Sequence, residues 1–341
     1  MMKLSRLMLA AVAVCGTSAV MAQSSVTIYG RVNTTIEQQK LGDNKATGVA
    51  NNNSRIGFKG VEDLGNGLKA GFQLEAGFGS DDGSGPLTFK RQSEVNLSGN
   101  FGMVRLGNFY PESYYATSDY IGMHNHETGS SSDQLYYDAA WFNGNDTGNK
   151  VAYRTPTFNN FWAEASVSLH EKARTGAAAV NKNAYDLAAN YNNGPLSLGA
   201  GYSYWNSNYQ AALRGLYTFG QFTVGAYYQR NKDDNAILGT GAGSRNNFRL
   251  SAMYVMNASE FHVNVGRANK WSNVSDSAAT QWTLGYNYNL SKRTKIYTYY
   301  TKVNNGKNAS YGYATKDENN NVIRANGLNT SSFAVGVRHN F

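Results

Sequence analysis

The chain has a single cysteine, only four prolines and, beyond residue 22, no apolar run long enough for a membrane-spanning helix. Because that cysteine, Cys15, lies in an N-terminal segment, the remaining residues have no disulfide to stabilise them. The prolines fall between predicted strands, where no ladder hydrogen bond is lost: Pro86, Pro111, Pro156 and Pro195. With a mean hydropathy of −0.50, these absences exclude a disulfide-stapled secreted domain and a helical membrane protein.

Clusters of charge and of catalytic side chains are missing too. The formal net charge is +8, but no run of five or more like charges forms a nucleic-acid-binding tail. His124, His126 and Glu127 offer zinc too few ligands, and no G-x-S-x-G motif accompanies the remaining histidines. The sequence therefore predicts no enzyme, no metal or other cofactor, and no nucleic-acid partner.

The N-terminal segment has the organisation of an export signal. Lys3 and Arg6 precede an apolar run from Leu7 to Val14, and small residues lead to Ala22. This order predicts a secretory signal peptide over residues 1–22, cleaved after Ala22. The following "SSVTIYG" is strand-like and does not continue a helix. We expect residues 23–341 to form one domain without a linker.

Residues of this domain alternate between apolar and polar side chains at the two-residue period of a β-strand. In "QWTLGYNYNL", Trp282, Leu284 and Tyr286 share one face, while Thr283 and Gly285 share the other. The pattern recurs in about sixteen segments, an even number in the range of outer-membrane β-barrels. Short turns alternate with longer polar segments at 110–149, 171–182, 232–246, 269–279 and 304–328. We expect tight turns at one end of the molecule and long loops at the other.

An antiparallel sandwich also alternates, so alternation alone leaves two all-β folds open. A sandwich of this length would normally divide into domains, and its inner face would be rich in Val, Ile and Leu. This chain has 24 tyrosines and 36 glycines. Tyrosine concentrates where an apolar surface meets water, as at the two rims of a barrel in lipid. The composition therefore favours a transmembrane barrel.

Four segments together carry a resemblance to a known family. They are "SSVTIYGRV" (24–32), "SRIGFKGVEDLGNGLKAGFQLEAGF" (54–78), "VRLGNFY" (104–110) and the terminal "VGVRHNF". The chain resembles the trimeric general-diffusion porins of Gram-negative outer membranes, most closely the β-proteobacterial branch. The resemblance implies a sixteen-stranded antiparallel transmembrane β-barrel, three to an assembly, with the third loop, residues 110–149, folded into the lumen.

The resemblance also implies a constriction where basic residues on the barrel wall face acidic residues on that loop. The wall positions that match are Arg31, Arg55, Arg91 and Arg154, and the loop acids expected to approach the pore are Glu112 and Asp119. Alternation independently directs Arg31, Arg55 and Arg154 to the polar face, and adds Arg214 and Arg249. Arg91 shares its parity with Val95 and Leu97, so it rests on the resemblance alone unless a bulge resets the phase or a neighbouring subunit covers that face.

These residues predict passive diffusion of ions and small hydrophilic solutes with mild anion preference. Two alternatives stay open: a substrate-specific channel, suggested by Tyr227 and Trp205 on the polar parity, and a barrel-anchored adhesive surface protein. Phe341 ends an alternating strand, so we expect it to close the barrel against the first strand and to be read by the outer-membrane assembly machinery. Outer-membrane lipids and lipopolysaccharide complete the expected partners.

Overall fold

The protein is almost entirely antiparallel β-structure. The computed structural model describes residues 25–119, 121–123, 134–136, 148–170, 182–234, 241–312, 315–316, 322–323 and 326–341. Within these ranges no helix is both long and apolar enough to cross a membrane. The predicted signal peptide, residues 1–22, lies outside the described residues and stays a prediction.

Nineteen strands and one short helix follow each other along the described chain. The strands are β1 Ser25–Leu41, β2 Asn44–Asn51, β3 Arg55–Gly65, β4 Leu68–Gly77, β5 Gln92–Gly99, β6 Gly102–Asn108, β7 Lys150–Arg154, β8 Phe161–Ser168, β9 Ala184–Asn193, β10 Leu196–Trp205, β11 Asn208–Phe219, β12 Phe222–Asp233, β13 Gly243–Met256, β14 Ser259–Ala268, β15 Ala279–Asn289, β16 Thr294–Asn305, β17 Thr315–Lys316, β18 Val322–Ile323 and β19 Thr330–Asn340. Helix α1, Glu112–Thr117, lies between β6 and β7.

Seventeen of the strands form one closed sheet. Each pairs antiparallel with its neighbour, and β1 returns to pair with β19, so the sheet has no open edge. Strands β2 and β3 lie end to end along β1, because residues 52–54 leave the ladder between them. Counted as one strand, they give a closed barrel of sixteen antiparallel strands, which confirms the predicted number and arrangement of strands.

The two faces of the barrel differ in polarity. Apolar side chains face outward and polar side chains face inward, the reverse of the arrangement in a soluble protein. Large apolar side chains point outward and are exposed, including Leu187, Leu213 and Leu250, which are 54–61% accessible. Polar side chains of the inward parity are buried in the lumen, as Gln229, Asn231 and Gln281 are. This arrangement suits a barrel wall that faces lipid outside and water inside.

The connections follow the expected alternation with two exceptions. At the end of the barrel that carries the long loops, β1 joins β2 through residues 42–43, and β10 joins β11 through residues 206–207. These two connections are short, although the other connections at this end include the long segments that the sequence predicts. Gly42, Asn206 and Ser207 have positive φ, a conformation that suits a two-residue hairpin whose twist matches the flanking strands.

The last residue takes part in closing the barrel. The Phe341 amide donates to the Gly30 carbonyl at 3.1 Å, and the Gly30 amide donates to the Phe341 carbonyl at the same distance. The Phe341 ring lies over Gly30, where an added Cβ would approach it to 2.7 Å. Phe341 therefore extends the β1–β19 ladder by a further residue pair.

Deleting Phe341 should impair assembly more than conduction. The deletion removes two backbone hydrogen bonds and the ring that covers Gly30, but it removes no side chain from the lumen. We expect less folded protein in the outer membrane, measured by heat-modifiable migration on gels, and an unchanged unit conductance for the pores that form. Phe341→Tyr is the matched control, since it keeps the ring and the pair. Normal assembly of the deletion would contradict this role.

Candidate functional site

Helix α1 lies against the lumen face of β10. An added Cβ at Gly199 would overlap the carbonyl oxygen of Ala116, and one at Gly201 would lie 2.7 Å from the Ser113 Cβ. Both glycines have the inward parity, opposite the outward Leu198 and Ala200. The absence of a side chain at these two positions lets the helix backbone rest directly on the wall.

A group of hydrogen bonds holds the helix in this place. The Ser113 amide donates to Asp186 Oδ1 at 3.1 Å, and the Ser203 hydroxyl donates to Asp186 Oδ2 at 2.8 Å. The hydroxyls of Ser113 and Ser203 lie 3.0 Å apart, and Gln210 Nε2 donates to both. Three neighbouring strands, β9, β10 and β11, thus anchor the first turn of α1.

A chain of ion pairs runs along the wall to the helix. Arg105 Nη2 lies 2.5 Å from Glu94 Oε2, and Arg105 Nη1 lies 3.1 Å from Glu164 Oε1. Glu164 also pairs with Arg154 Nε at 2.8 Å, and Arg154 Nη2 pairs with Glu112 Oε2 at 2.8 Å. The predicted wall residue Arg154 and the predicted loop acid Glu112 are therefore in direct contact. Burial raises the pKa of Glu112 to about 7, although Arg154 acts against this shift.

A second group joins two of the predicted wall arginines. Arg91 Nε lies 2.7 Å from Glu75 Oε1, and Arg55 Nε lies 3.6 Å from the same oxygen. The Tyr29 hydroxyl donates to the other oxygen of Glu75 at 3.0 Å. Arg91 precedes the first residue of β5, Gln92, so the parity of that strand does not govern its side chain. This explains how Arg91 reaches a lumen carboxylate despite sharing its parity with outward residues.

Three further predicted arginines donate to neutral oxygens inside the barrel. Arg31 donates to the carbonyls of Asn52 and Asn53 at 3.2–3.3 Å. Arg214 donates to the Ser197 hydroxyl at 3.0 Å. Arg249 donates to Asn264 Oδ1 at 2.7 Å and to Gln281 Oε1 at 2.9 Å. These hydrogen bonds fix the direction in which each guanidinium group points.

The second predicted loop acid has a different environment. Asp119 is half-buried just after α1, and its amide donates to the Tyr114 carbonyl at 3.2 Å. Burial raises the pKa of Tyr115, and the nearby charge of Asp119 raises it further. Tyr110, Tyr114 and Tyr115 pack with ring centroids 5.6–6.5 Å apart. The structure thus places Asp119 beside an aromatic group at the end of the helix.

Several charged lumen residues were not singled out from the sequence. They are Glu75, Glu94, Arg105, Glu164 and Arg245. Glu75, Arg105 and Glu164 each lie between two apolar neighbours in an alternating segment, as Arg105 does between Val104 and Leu106. The alternation that selected Arg214 and Arg249 could therefore have found these three. Arg245 donates to the Leu135 carbonyl at 2.7 Å and joins residues 134–136 to the wall.

Tyr227 and Trp205, the two residues that suggested a substrate-specific channel, each contact other residues of the protein. Tyr227 packs with Ile121 and Ala212, and Trp205 Nε1 donates to the Lys182 carbonyl at 3.3 Å. His124, His126 and Glu127 lie outside the described residues. Among the residues that are described, no group of three or more potential metal ligands occurs.

Comparison with known proteins gives a consistent result. A family profile for Gram-negative porins matches residues 9–309. Outer membrane porin protein 32 of Delftia acidovorans is 34% identical, and the alignment covers all of both chains. An outer membrane porin protein of Bordetella pertussis is 26% identical over 99% of this chain and all of its own.

Solved structures agree with the sequence matches. The anion-selective porin from Comamonas acidovorans superposes with a TM-score of 0.78 at 31% identity, covering 94% of this chain and 100% of that one. The trimer form of OmpT from Vibrio cholerae superposes with a TM-score of 0.65 at 15% identity, over 93% of this chain and 99% of that one, which concerns the fold alone. The family consists of channel proteins of the outer membrane. The chain forms a closed sixteen-stranded barrel with a polar lumen that is lined by arginines. It belongs to the Gram-negative porin family.

Proposed function

We propose that this outer-membrane porin lets ions and small hydrophilic solutes diffuse passively, with a mild preference for anions, through a constriction formed by its third loop. The packing of α1 on the lumen face of β10 carries the proposal, because it brings loop residues inside the barrel. The loop then narrows the channel, and the arginines of the wall set the electrostatic potential in the part of the lumen that stays open.

The charges of the lumen support the anion preference. Glu75, Glu94, Glu112 and Glu164 lie within 4 Å of arginines, so much of their negative charge is compensated. Arg31, Arg214 and Arg249 bring further guanidinium groups to the lumen side of the wall, where each donates a hydrogen bond to a neutral oxygen. The similarity to the anion-selective Comamonas porin agrees with this balance.

Reversal potentials in planar bilayers test the proposal. Under a potassium chloride gradient, the purified protein should give ohmic steps and a reversal potential of the sign for chloride. Arg249→Gln should reduce that potential, whereas Arg230→Gln, on the exposed outer face, should leave it unchanged. A cation-selective value would refute the anion preference, and the absence of conductance would refute the porin function and favour an adhesive anchor.

The anion preference should rise as the pH falls through about 7. Burial raises the pKa of Glu112 to about 7, so its carboxyl is neutral below that pH and negative above it. Neutralising this acid leaves the charge of Arg154 less compensated and makes the constriction more positive. Reversal potentials measured at pH 6 and pH 8 should differ accordingly. Glu112→Gln should hold the pH 6 value at both, and an identical difference in that variant would contradict the assignment.

We also propose a homotrimer that buries the wall from β19 through β1 to β6. Among the described outward positions of these strands there is no tyrosine or tryptophan. Strands β9 to β16 carry such residues outward at both rims, including Tyr185, Tyr202, Tyr217, Tyr286 and Trp282. Aromatic residues at the rims of a barrel mark contact with the lipid interface. The wall from β19 through β1 to β6 is therefore the one suited to contact with another subunit. The mass of the detergent-solubilised complex tests this, and a monomeric mass would contradict it.

A further inference from the structure

The third loop has a second attachment to the barrel wall, apart from helix α1. Leu135 is fully buried and forms an apolar cluster with Ala268, Ala279 and Val303. These three wall residues belong to β14, β15 and β16 and have the inward parity of their strands. They form a small apolar surface on a wall whose other inward positions are mostly polar. Leu135 is therefore held against the inside of the barrel by packing.

Arg245 of β13 adds hydrogen bonds to this attachment. Its Nη2 donates to the Leu135 carbonyl at 2.7 Å, and Asn247 Nδ2 donates to the same oxygen at 2.9 Å. The Nε of Arg245 donates to Asn231 Oδ1 at 3.2 Å, and its Nη1 donates to the Tyr311 hydroxyl. The side chain of Arg245 is only 2% exposed. Because a guanidinium group is a rigid planar fork, acceptors on three of its nitrogens fix its position.

Two connections at the loop end of the barrel hold the same guanidinium group. Its Cζ lies 4.8 Å from the ring centroid of Trp271, between β14 and β15, and 5.0 Å from that of Tyr311, between β16 and β19. The Trp271 amide donates to Ser277 Oγ at 2.9 Å. The Tyr311 amide donates to Asn305 Oδ1 at 3.1 Å, and Asn305 Nδ2 donates back to the Tyr311 carbonyl at 2.8 Å. Each ring is thus fixed within its own connection. We call Arg245, Trp271 and Tyr311 the brace.

The attachment at Leu135 is also linked to α1. The ring of Tyr136 packs on the ring of Tyr114 in α1, with centroids 5.3 Å apart. Between them along the wall, Ile121 packs on residues of β11 and β12. The described parts of the third loop therefore contact the inner wall from β9 to β16, with α1 at one end and Leu135 at the other. A shift at Leu135 would be passed to α1 through the two tyrosine rings.

We propose that Arg245 is a positioning residue that keeps the constriction open under voltage, and that the brace makes its position depend on two extracellular connections. The inference rests on the proposed function, since it concerns the same constriction. Long loops of outer-membrane barrels are extracellular, so Trp271 and Tyr311 belong to the outer surface of the cell. An applied voltage exerts a force on the charged groups of the third loop, which include Glu112 and Asp119. A loop attached at both ends resists that force better than one attached only at α1.

The closing of single channels under voltage tests the proposal on the intact, purified porin in planar bilayers. Arg245→Met removes the guanidinium hydrogen bonds and keeps an unbranched side chain. We expect the ratio of closed to open time at a fixed voltage to rise about tenfold, because losing a hydrogen bond to a charged group commonly changes an equilibrium by at least this factor. Arg245→Lys should give a smaller rise, since one ammonium group cannot reach all three acceptors.

Two milder variants test the connection to the extracellular segments. Trp271→Leu removes one ring of the brace, and Tyr311→Phe removes only the hydroxyl that Arg245 contacts. Neither changes a charge or a strand, so we expect a raised closed-to-open ratio with a wild-type midpoint of thermal unfolding on gels. Arg267→Met, which removes an exposed arginine from the outer face of β14, is the control and should close as the wild type does.

The possible outcomes separate this inference from the proposed function. A wild-type closed-to-open ratio in Arg245→Met and Tyr311→Phe would overturn the role of the brace, even if displacing α1 by Gly199→Ala alters the conductance. A rise in Arg245→Met without one in Trp271→Leu and Tyr311→Phe would overturn the dependence on the extracellular connections. The absence of any conductance in the wild type would instead refute the proposed function.

Discussion

Replacing Gly199 with alanine should raise the single-channel conductance, because the new Cβ would overlap the carbonyl oxygen of Ala116 and move α1 away from the wall. A clash with backbone cannot be relieved by rotating a side chain, and keeping the helix in place would cost about 1–3 kcal/mol. The hydrogen bonds between Ser113 and Asp186 depend on the same close approach. We therefore expect the loop to shift and the narrowest part of the path to widen.

Gly215→Ala is the matched control for this experiment. Gly215 lies on the neighbouring strand with its Cα facing outward, and an added Cβ would meet only Leu198, at an ordinary 3.5 Å. Its conductance should equal that of the wild type. Displacing α1 should also separate Glu112 from Arg154, so the pH dependence of the reversal potential should disappear in Gly199→Ala. Wild-type conductance together with wild-type pH dependence would show that α1 does not form the constriction.

Replacing Arg105 with methionine should destabilise the barrel more than any other single neutralisation in the ion-pair chain. Arg105 lies between Glu94 and Glu164, and all three side chains are buried. Removing the cation leaves two buried carboxylates less compensated, and breaking a buried pair in this way costs about 3–5 kcal/mol. We expect the midpoint of thermal unfolding on heat-modifiability gels to fall by on the order of 10 °C.

Two variants make this result specific. Arg105→Lys keeps the positive charge but loses the fork that reaches both carboxylates, so its midpoint should lie between those of the wild type and Arg105→Met. Arg230→Met removes an exposed arginine from the outer wall and should leave the midpoint unchanged. If Arg105→Met unfolds at the wild-type temperature, the ion-pair chain contributes little to stability and acts only on the potential of the lumen.

Most of the barrel could be predicted from alternation, because a strand between lipid and water must separate its side chains with a period of two. The same rule placed Arg214 and Arg249 in the lumen, and it would have found Arg105. The rule could not place Arg91, because this residue lies just before the first residue of β5, Gln92, and alternation applies only within a strand. The short hairpin at residues 206–207 also escaped, because Asn206 and Ser207 adopt positive φ without glycine.

The candidate site required three-dimensional information for another reason. The resemblance implied loop acids facing wall arginines across an open pore, but it could not specify partners. The structure joins Glu112 to Arg154 and places Glu75, an acid of the wall itself, beside Arg55 and Arg91. These contacts depend on the approach of α1 to Gly199 and Gly201, and that approach depends on how the loop crosses the barrel. The spacing of residues in the sequence does not indicate how the loop crosses the barrel.

The pairing of β1 with β19 has a consequence for the order of folding. It joins residues about 300 positions apart, and long-range pairing of this kind makes folding slow. Until that contact forms, both strands present unpaired backbone groups and apolar side chains such as Ile36 and Val335. An exported chain is therefore prone to aggregate until its last strand pairs with β1. Chaperones that bind the unfolded protein should for this reason govern its yield.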